Sequence, residues 1–208
     1  MPRSQQALAD LVASLGLSDP RIEAAFRVVD RAAFVSSDYG GTAYSDRPLG
    51  IPEGQTTSQP SLIAQMIDHA GVTAGSKVLE VGTGCGFQTA LLAHLATEVY
   101  SIERSLALAD LARERIGGNH PAPVSVIHGD GWEGYGAAAP YDVIVVSAAA
   151  STLPDALQEQ LREGGRIVIP IATQHSDDVL VFVKRDGRVE LDHLVTPARF
   201  VPLVKGQG

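Results

Sequence analysis

Three glycines at alternate positions form the segment of this chain that is best suited to bind a ligand. Gly82, Gly84 and Gly86 follow a short apolar run that carries one acid, Glu80. Glycines at a turn between a strand and a helix allow positive φ angles and let a ligand approach the bare backbone. The spacing excludes the dinucleotide fingerprint G-x-G-x-x-G, because Phe87 stands where that fingerprint needs its third glycine.

Two acids lie at or just after the ends of the next two strand-like runs, and both are expected at the same site as the glycine loop. Glu103 ends the run 98–103, about 20 residues after Gly82, and an acid at this distance can accept hydrogen bonds from both hydroxyls of a ribose. Asp130 lies just past the run 123–128, where it can accept a hydrogen bond from the exocyclic amine of adenine. Each acid also has a plainer interpretation, as a solvated carboxylate or an Asp-Gly turn, and the glycine loop is what favours a nucleoside site.

The segment 54–60 is polar, lacks periodicity and precedes a helical pattern. Its serine, Ser58, can be interpreted as a helix cap. That interpretation leaves Gln55, Thr56 and Gln59 without a role, so the segment is also a candidate for function.

The elements that must position these residues alternate between strand and helix from residue 76 onward. The predicted strands are 77–82, 98–103, 123–128, 141–147 and 165–171, and the predicted helices are 87–96, 105–116 and 153–162. Near-continuous apolar strands are typical of parallel sheets that are buried on both faces. We therefore predict an α/β fold with a Rossmann-like, doubly wound and mostly parallel sheet. The pair Asp186-Gly187 between two β-type runs predicts a C-terminal antiparallel hairpin.

The N-terminal part has a different pattern. Helical periodicity covers residues 3–16, a second helix follows Asp19 and Pro20, and a third covers about 61–70. Asp19 is a candidate cap and Pro20 a first-turn residue. Residues 36–60 between them form a long irregular segment, and segments of this length in compact domains are often functional.

Composition limits the class of protein. With 208 residues, 45% of them hydrophobic, the chain can bury the core of one soluble globular domain. The net charge of −8 argues against nucleic acid as the main partner, and no run approaches the ~18 apolar residues of a membrane span. A single cysteine, Cys85, and no evident signal peptide predict a cytoplasmic protein.

Several longer stretches resemble the protein-L-isoaspartate (D-aspartate) O-methyltransferase family over almost the whole chain. The acid-x-G-x-G-x-G loop is shared with many S-adenosylmethionine-dependent methyltransferases, whereas the segment 54–60 and the run Phe200-Val201-Pro202-Leu203 are far more particular to this family. The other matching stretches are 43–49, 78–90, 98–103, 129–131, 141–150 and 199–204.

The resemblance implies a cofactor, a catalytic residue and a class I methyltransferase fold. The cofactor is S-adenosylmethionine, its product is S-adenosylhomocysteine, and no metal is involved. The catalytic residue is Ser58, which also contacts the substrate. The implied cofactor contacts are Gln55, Thr56, Thr57, Gly82, Thr83, Gly84, Gln88, Glu103, Asp130 and Gly131. The implied substrate contacts are Ser58, Ala148, Ala149, Val201 and Leu203.

The resemblance also implies that two parts of the chain have different roles. Residues 1–75 form a helical segment that covers substrate and cofactor, and residues 76–208 form the core that binds S-adenosylmethionine, within one compact domain. The implied partners are isoaspartyl-containing peptides and proteins, and we expect a monomer that binds neither nucleic acid nor a membrane.

The implied activity is protein repair, in which a methyl group moves to the α-carboxylate of an L-isoaspartyl residue, with D-aspartyl as a possible second substrate. Four positions depart from the family pattern. Cys85 and Phe87 are conservative changes, whereas Glu53 and Ser151 can alter the peptide pocket. Two alternatives therefore stay open: an O-methyltransferase that tailors one precursor peptide, and a non-catalytic module that binds S-adenosylmethionine.

Overall fold

The N-terminal part of the protein is helical in the computed structural model, which describes residues 1–118 and 120–206. Helix α1 spans Gln5–Ala13, α2 spans Pro20–Val28 and α3 spans Pro60–Ala70. The predicted start of α2 is confirmed. The carboxylate of Asp19 accepts a hydrogen bond from the backbone N–H of Arg21 at 2.9 Å, and Pro20 occupies the first turn.

The segment between α2 and α3 is more ordered than the sequence predicts. It contains two 3₁₀ stretches, Arg31–Phe34 and Ser37–Tyr44, and a short antiparallel ribbon of β1 (Leu49–Gly50) and β2 (Thr56–Thr57). The ribbon turns at Glu53 and Gly54, whose φ angles are 61° and 65°. Glycine adopts such an angle freely, but glutamate does so rarely, which makes Glu53 an unusual feature of this turn.

Helix α3 is not capped by Ser58, so that interpretation of Ser58 is wrong. The cap position is Gln59, whose side chain makes no capping hydrogen bond. Asp46 acts instead from the preceding segment, because its Oδ1 accepts a hydrogen bond from the backbone N–H of Ser61 at 2.9 Å. The contact fastens the 3₁₀ region to α3. Ser58 lies two residues before the first residue of the helix.

A seven-stranded sheet forms the centre of the molecule. The strands are β3 (Lys77–Val81), β4 (Glu98–Glu103), β5 (Val124–His128), β6 (Tyr141–Val146), β7 (Leu161–Ala172), β8 (Asp177–Arg185) and β9 (Arg188–Ala198). Their order in the sheet is β5-β4-β3-β6-β7-β8-β9, with β3 to β7 parallel and β8 and β9 antiparallel at one edge. This arrangement confirms the mostly parallel α/β sheet and the C-terminal hairpin.

Both faces of the central strands β3 and β6 are buried, as their apolar sequences predict. Along β6, Val143 and Val145 belong to a core that the N-terminal helices share, whereas Ile144 and Val146 belong to a second core on the opposite face. Because successive side chains of a strand point to opposite faces, a strand with helices on both sides needs an apolar residue at nearly every position.

Three further helices complete the fold: α4 (Phe87–Ala93), α5 (Leu106–Ile116) and α6 (Asp155–Gln160). Several predicted boundaries were wrong, including both ends of α1, which spans Gln5–Ala13 within the predicted 3–16. Helix α4 ends three residues before the predicted 96, and strand β7 begins at Leu161 inside the predicted helix 153–162, because Leu161 already pairs with Tyr141 on β6. Among residues 1–118 and 120–206, no helix combines the length and apolar character needed to cross a membrane.

Candidate active site

A cavity lies at the carboxyl ends of β3, β4 and β6, under the β1–β2 ribbon. Ligands of open α/β sheets bind at this edge, because the loops that follow parallel strands converge there. The predicted site residues that line the cavity are Gln55, Thr56, Thr57, Ser58, Gly82, Thr83, Gly84, Gln88, Glu103, Gly131, Ala148, Val201 and Leu203. Of the predicted set, Asp130 and Ala149 do not line it.

The glycine loop after β3 forms one wall. Gly82, Gly84 and Gly86 have φ angles of 91°, 55° and 90°, which side-chain-bearing residues rarely adopt. A Cβ atom on Gly84 would lie 3.2 Å from Ile51 Cδ1 of the ribbon, and one on Gly86 would lie 3.0 Å from a side-chain carbon of Ile116. The loop therefore needs glycine for its backbone conformation and for the close approach of its neighbours.

Glu103 holds the glycine loop against the end of β4. Its Oε2 accepts a hydrogen bond from the backbone N–H of Gly84 at 2.9 Å, and its Oε1 accepts one from the N–H of Ser105 at 3.0 Å. The residue is only 7% exposed. Each carboxylate oxygen keeps a further lone pair, so the same group can accept hydrogen bonds from a ligand in the cavity.

Glu80 lies behind the glycine loop and is completely buried. Its Oε2 accepts hydrogen bonds from the hydroxyls of Thr89 at 2.5 Å and Ser101 at 2.6 Å, and Ser101 also contacts Thr83 Oγ1 at 2.6 Å. Its Oε1 has no partner in the described part of the chain. Burial raises the pKa of Glu80 to about 7, although the hydrogen bonds from Ser101 and Thr89 oppose this shift.

Asp130 and Gly131 have different positions. The carboxylate of Asp130 accepts hydrogen bonds from the backbone N–H groups of Trp132 at 2.9 Å and Gly206 at 2.6 Å, so it ties two loops together. Gly131 lines the cavity, and a Cβ atom there would lie 2.5 Å from Val81 Cγ1. Contact between Asp130 and adenine stays a prediction.

Ala149 anchors the C-terminal segment beside the cavity. Its N–H donates to the carbonyl of Val201 at 2.8 Å, and its carbonyl accepts from the N–H of Leu203 at 2.7 Å. Val201 and Leu203 consequently reach the cavity wall, which Ala149 itself does not. On the other side, Ser147 Oγ accepts a hydrogen bond from Gln88 Nε2 at 2.9 Å.

A groove opens on the outer side of Ser58. Its walls come from the start of α3, including Gln59, and from the end of β9 with the residues after it. Thr56, Ser58, Ser147 and Val201 border both the groove and the cavity. The half-buried Ser58 therefore stands where a molecule in the groove would meet one in the cavity.

The two spaces differ in charge. The charged residues around the cavity are Glu53, Glu103 and Arg104, whereas the one charged residue that lines the groove within the described part of the chain is Arg199. An acid-lined cavity favours a cationic ligand, and a groove with a single cation favours a carboxylate. Within residues 1–118 and 120–206, no group of three or more His, Cys, Asp or Glu side chains could hold a metal ion.

Sequence reasoning missed several residues around the cavity. Ile51, Arg104 and Ser105 line it, and Ser105 carried a usable signal as a polar residue just before the apolar pattern of α5, which it caps through the N–H of Leu108 at 3.3 Å. Arg31, on the first 3₁₀ stretch, donates to the carbonyl of Ser58 at 3.2 Å. Every residue has a main-chain carbonyl, so the sequence does not show which residues accept hydrogen bonds from such an arginine.

Comparison with known proteins agrees with this arrangement. The family model for protein-L-isoaspartate(D-aspartate) O-methyltransferase matches residues 3–208. The chain is similar to protein-L-isoaspartate O-methyltransferase of Methanoculleus marisnigri, with 46% identity over 189 residues, 91% of this chain and 86% of the relative. It is equally similar to the enzyme of that name from Koribacter versatilis, with 46% identity over 193 residues, 93% of this chain and 86% of the relative.

Solved structures agree as well. A protein-L-isoaspartate O-methyltransferase superimposes with a TM-score of 0.85 and 30% identity, and the match covers 95% of this chain and 65% of that one. A Plasmodium falciparum protein, solved in complex with S-adenosyl-L-homocysteine, superimposes with a TM-score of 0.84 at 24% identity, over 98% of this chain and 99% of that one, and supports the fold. This chain therefore belongs to the protein-L-isoaspartate (D-aspartate) O-methyltransferase family.

Proposed function

We propose that the protein methylates the α-carboxylate of L-isoaspartyl residues in damaged proteins and peptides, with S-adenosylmethionine as the methyl donor. The observation that carries this proposal is the position of Ser58, which borders the acid-lined cavity on one side and the groove with Arg199 on the other. The family membership and the names of the relatives support the same substrate class. D-aspartyl residues are the second substrate that we propose.

The residues around the cavity fit S-adenosylmethionine. Glu103 would hold the ribose with the lone pairs that Gly84 and Ser105 leave available. The bare backbone of the loop at Gly82 would accommodate the methionine part, and Gln55, Thr56 and Thr57 would cover the ligand from the ribbon. Thr83, Gln88, Gly131 and, through the loop that it fixes, Asp130 complete the proposed cofactor contacts.

The chemistry requires orientation more than proton transfer. S-adenosylmethionine, when bound, supplies a methyl group on a positively charged sulfur. A substrate carboxylate has a pKa near ~4 and is already ionised at neutral pH, so no general base is needed. The Ser58 hydroxyl would donate a hydrogen bond to one oxygen of the substrate carboxylate. The second carboxylate oxygen would then face the cavity. Holding the reacting atoms in line is the largest contribution that such a site can make.

Binding of the peptide would follow the groove. Ala148, Val201 and Leu203 would close the pocket around the carboxylate and limit the access of water, while Ala149 holds the latter two in place. The groove contains few charged or deeply enclosed positions, which suits main-chain recognition of many damaged sequences. Glu53 lines the cavity at the ribbon turn, whereas Ser151 is exposed and lines neither space within the described residues.

We propose two functional parts within one domain. Residues 1–75 would cover substrate and cofactor through the ribbon and α3, and residues 76–208 would form the cofactor-binding core, of which 119, 207 and 208 lie outside the described residues. We also propose a cytoplasmic monomer, which agrees with a single cysteine that is buried and reduced. Light scattering of the purified protein would give its mass in solution.

The deciding experiment compares two matched peptides that differ only in one isoaspartyl or aspartyl residue. Methyl transfer from labelled S-adenosylmethionine to the isoaspartyl peptide alone is the expected result. Binding of S-adenosylhomocysteine without transfer to any isoaspartyl peptide would contradict the proposal and indicate a binding module. Transfer to one precursor peptide only would indicate a tailoring enzyme.

A further inference from the structure

Arg31 is a completely buried arginine with an unusual set of partners. It lies on the 3₁₀ stretch Arg31–Phe34, and within the described residues its guanidinium donates to four main-chain carbonyls and to no side chain. Nη1 donates to Ala43 at 3.0 Å and Ser45 at 2.8 Å, and Nη2 donates to Arg47 at 3.1 Å and Ser58 at 3.2 Å. One planar group thus joins the segment 43–47 to the residue proposed for catalysis.

The charge of Arg31 is not neutralised by an ion pair. Within the described residues, no carboxylate lies within ion-pair distance of its guanidinium. Burial lowers the pKa of Arg31 to about 10, which still leaves it protonated at neutral pH. Its Nε has no hydrogen-bond partner in the part of the chain that the structure describes. A buried cation without an ion pair is costly unless hydrogen bonds satisfy it, and here four main-chain carbonyls do so, which ties the guanidinium to the exact course of the segments that supply them.

The surroundings of Arg31 connect it to the cavity as well. Its Cζ lies 5.8 Å from the centre of the Phe87 ring, and Phe87 lines the cavity. Phe26 and Phe34 pack on the same ring, each with a centroid separation of 5.8 Å. The guanidinium therefore sits between a rigid aromatic cluster and the main chain of Ser58, and its position is determined from both sides.

We propose that Arg31 is the positioning residue of Ser58, which it fixes through the Ser58 carbonyl so that the hydroxyl faces the junction of cavity and groove. This inference rests on the proposed function. Arginine suits the task because its planar fork donates in several fixed directions, whereas lysine offers one compact ammonium group that cannot reach four carbonyls at once. Displacement of a reacting group by about 1 Å can reduce the rate ~100-fold.

A double-mutant cycle separates positioning from general stabilisation. Arg31→Lys is measured in the wild-type background and in a Ser58→Ala background, with the isoaspartyl peptide as substrate. We expect kcat to fall about tenfold in the wild-type background and less than about twofold when Ser58 has already lost its hydroxyl, because the effect acts through that group. The dissociation constant for S-adenosylhomocysteine, measured by calorimetry, should change less than about threefold.

Arg115→Lys is the matched control, because Nη1 of Arg115 donates to the carbonyl of Phe34 at 2.6 Å and, among the described residues, Arg115 makes no hydrogen bond to Ser58. Its effect should be equal in both backgrounds. If Arg31→Lys fails to fold, Arg31→Gln carries the same cycle. Equal loss of kcat from Arg31→Lys in both backgrounds would overturn the positioning role. A wild-type protein that methylates no isoaspartyl peptide would overturn the proposed function, and this inference with it.

Discussion

The cavity and the groove meet at one serine, yet they are built in different ways. The cavity lies at the ends of central parallel strands, and buried hydrogen bonds hold its key side chains, as with Glu103 between Gly84 and Ser105. The groove lies between the start of α3 and the end of the edge strand β9 with the segment after it, where Arg199 is exposed. The first arrangement suits one invariant ligand, and the second suits ligands that share a backbone but differ in side chains.

The difference shows where specificity can reside in such an enzyme. A preorganised, buried site discriminates strongly, because a ligand that lacks one hydrogen-bonding group leaves a buried partner unsatisfied. An open groove discriminates weakly, because water can replace most lost contacts. Substitutions in the cavity should therefore have large effects on one ligand, and substitutions in the groove should have small effects on many.

The largest effect is expected at the junction. Ser58→Ala should lower kcat about 100-fold while the affinity for S-adenosylhomocysteine changes less than about threefold, because the hydroxyl acts on the carboxylate in the transition state. Steady-state kinetics and calorimetry measure the two quantities. Ser61→Ala, in the first turn of α3, is the control variant. Equal losses in kcat and in cofactor affinity would place Ser58 in the cofactor site. Ser58 would then not mark the point where the cavity and the groove meet.

Within the cavity, Glu103→Ala should weaken S-adenosylhomocysteine binding by at least about tenfold, because it removes a charged acceptor and also releases the glycine loop at Gly84. The KM for peptide should change little. Glu98→Ala, at the opposite end of the same strand, is the control and should leave the dissociation constant unchanged. A larger change in peptide KM than in cofactor affinity would contradict the separation of the two spaces.

Within the groove, Arg199→Glu should raise the KM for an isoaspartyl peptide about threefold at low salt, because an attractive charge becomes a repulsive one at an exposed position. The difference in KM between Arg199→Glu and the wild type should shrink in 0.5 M salt, because the Debye length is then only ~3–5 Å and most of the charge effect is screened. Arg188→Glu, an exposed change of the same charge on β9, is the control. A KM that responds equally to both variants would mean that only net charge matters.

The smallest expected effect concerns stability behind the cavity. The folded-state pKa of Glu80 lies at about 7, above the ordinary value of 4.5, so its contribution to stability is complete below about pH 4.5 and is lost as the pH rises through 7. Glu80→Gln cannot ionise, and its Tm should exceed that of the wild type by roughly 3 °C at pH 8, with a smaller difference at pH 5. Thermal unfolding at the two pH values measures this.

Glu114→Gln, an exposed change on α5, is the control for that measurement and should show no such dependence on pH. A wild-type protein that is more stable than Glu80→Gln at pH 8 would mean that the ionised carboxylate is stabilised by its hydroxyl partners. Ionisation of Glu80 in the folded protein would then cost less free energy than its burial alone indicates.

The sheet and the glycine loop were predictable because each depends on local patterns. Apolar runs such as 141–147 indicate burial on both faces, and alternate glycines indicate a backbone that turns tightly around a ligand. Leu161 was assigned to a helix because its partner, Tyr141, is a neighbour only in the folded sheet. Local patterns therefore predict elements better than their limits.

The contacts that complete the site were not predictable, because they join distant residues through the backbone. Asp46 caps α3 from 15 positions away, and Asp130 turns toward the N–H groups of Trp132 and Gly206 rather than into the cavity. The hydrogen-bond acceptors of Arg31 within the described residues are all main-chain carbonyls, and any residue can supply a carbonyl. Spacing of side-chain types carries no information about such bonds.

The attachment of Val201 and Leu203 to Ala149 has a consequence for how long the enzyme stays active. These residues come later in the chain than every strand of the sheet, and two main-chain hydrogen bonds fasten them beside the cavity. The sheet itself does not depend on them for its strand pairing. A protease cut between Ala198 and Val201 should abolish activity at once while leaving the sheet folded, which would make the enzyme's working life shorter than that of its fold.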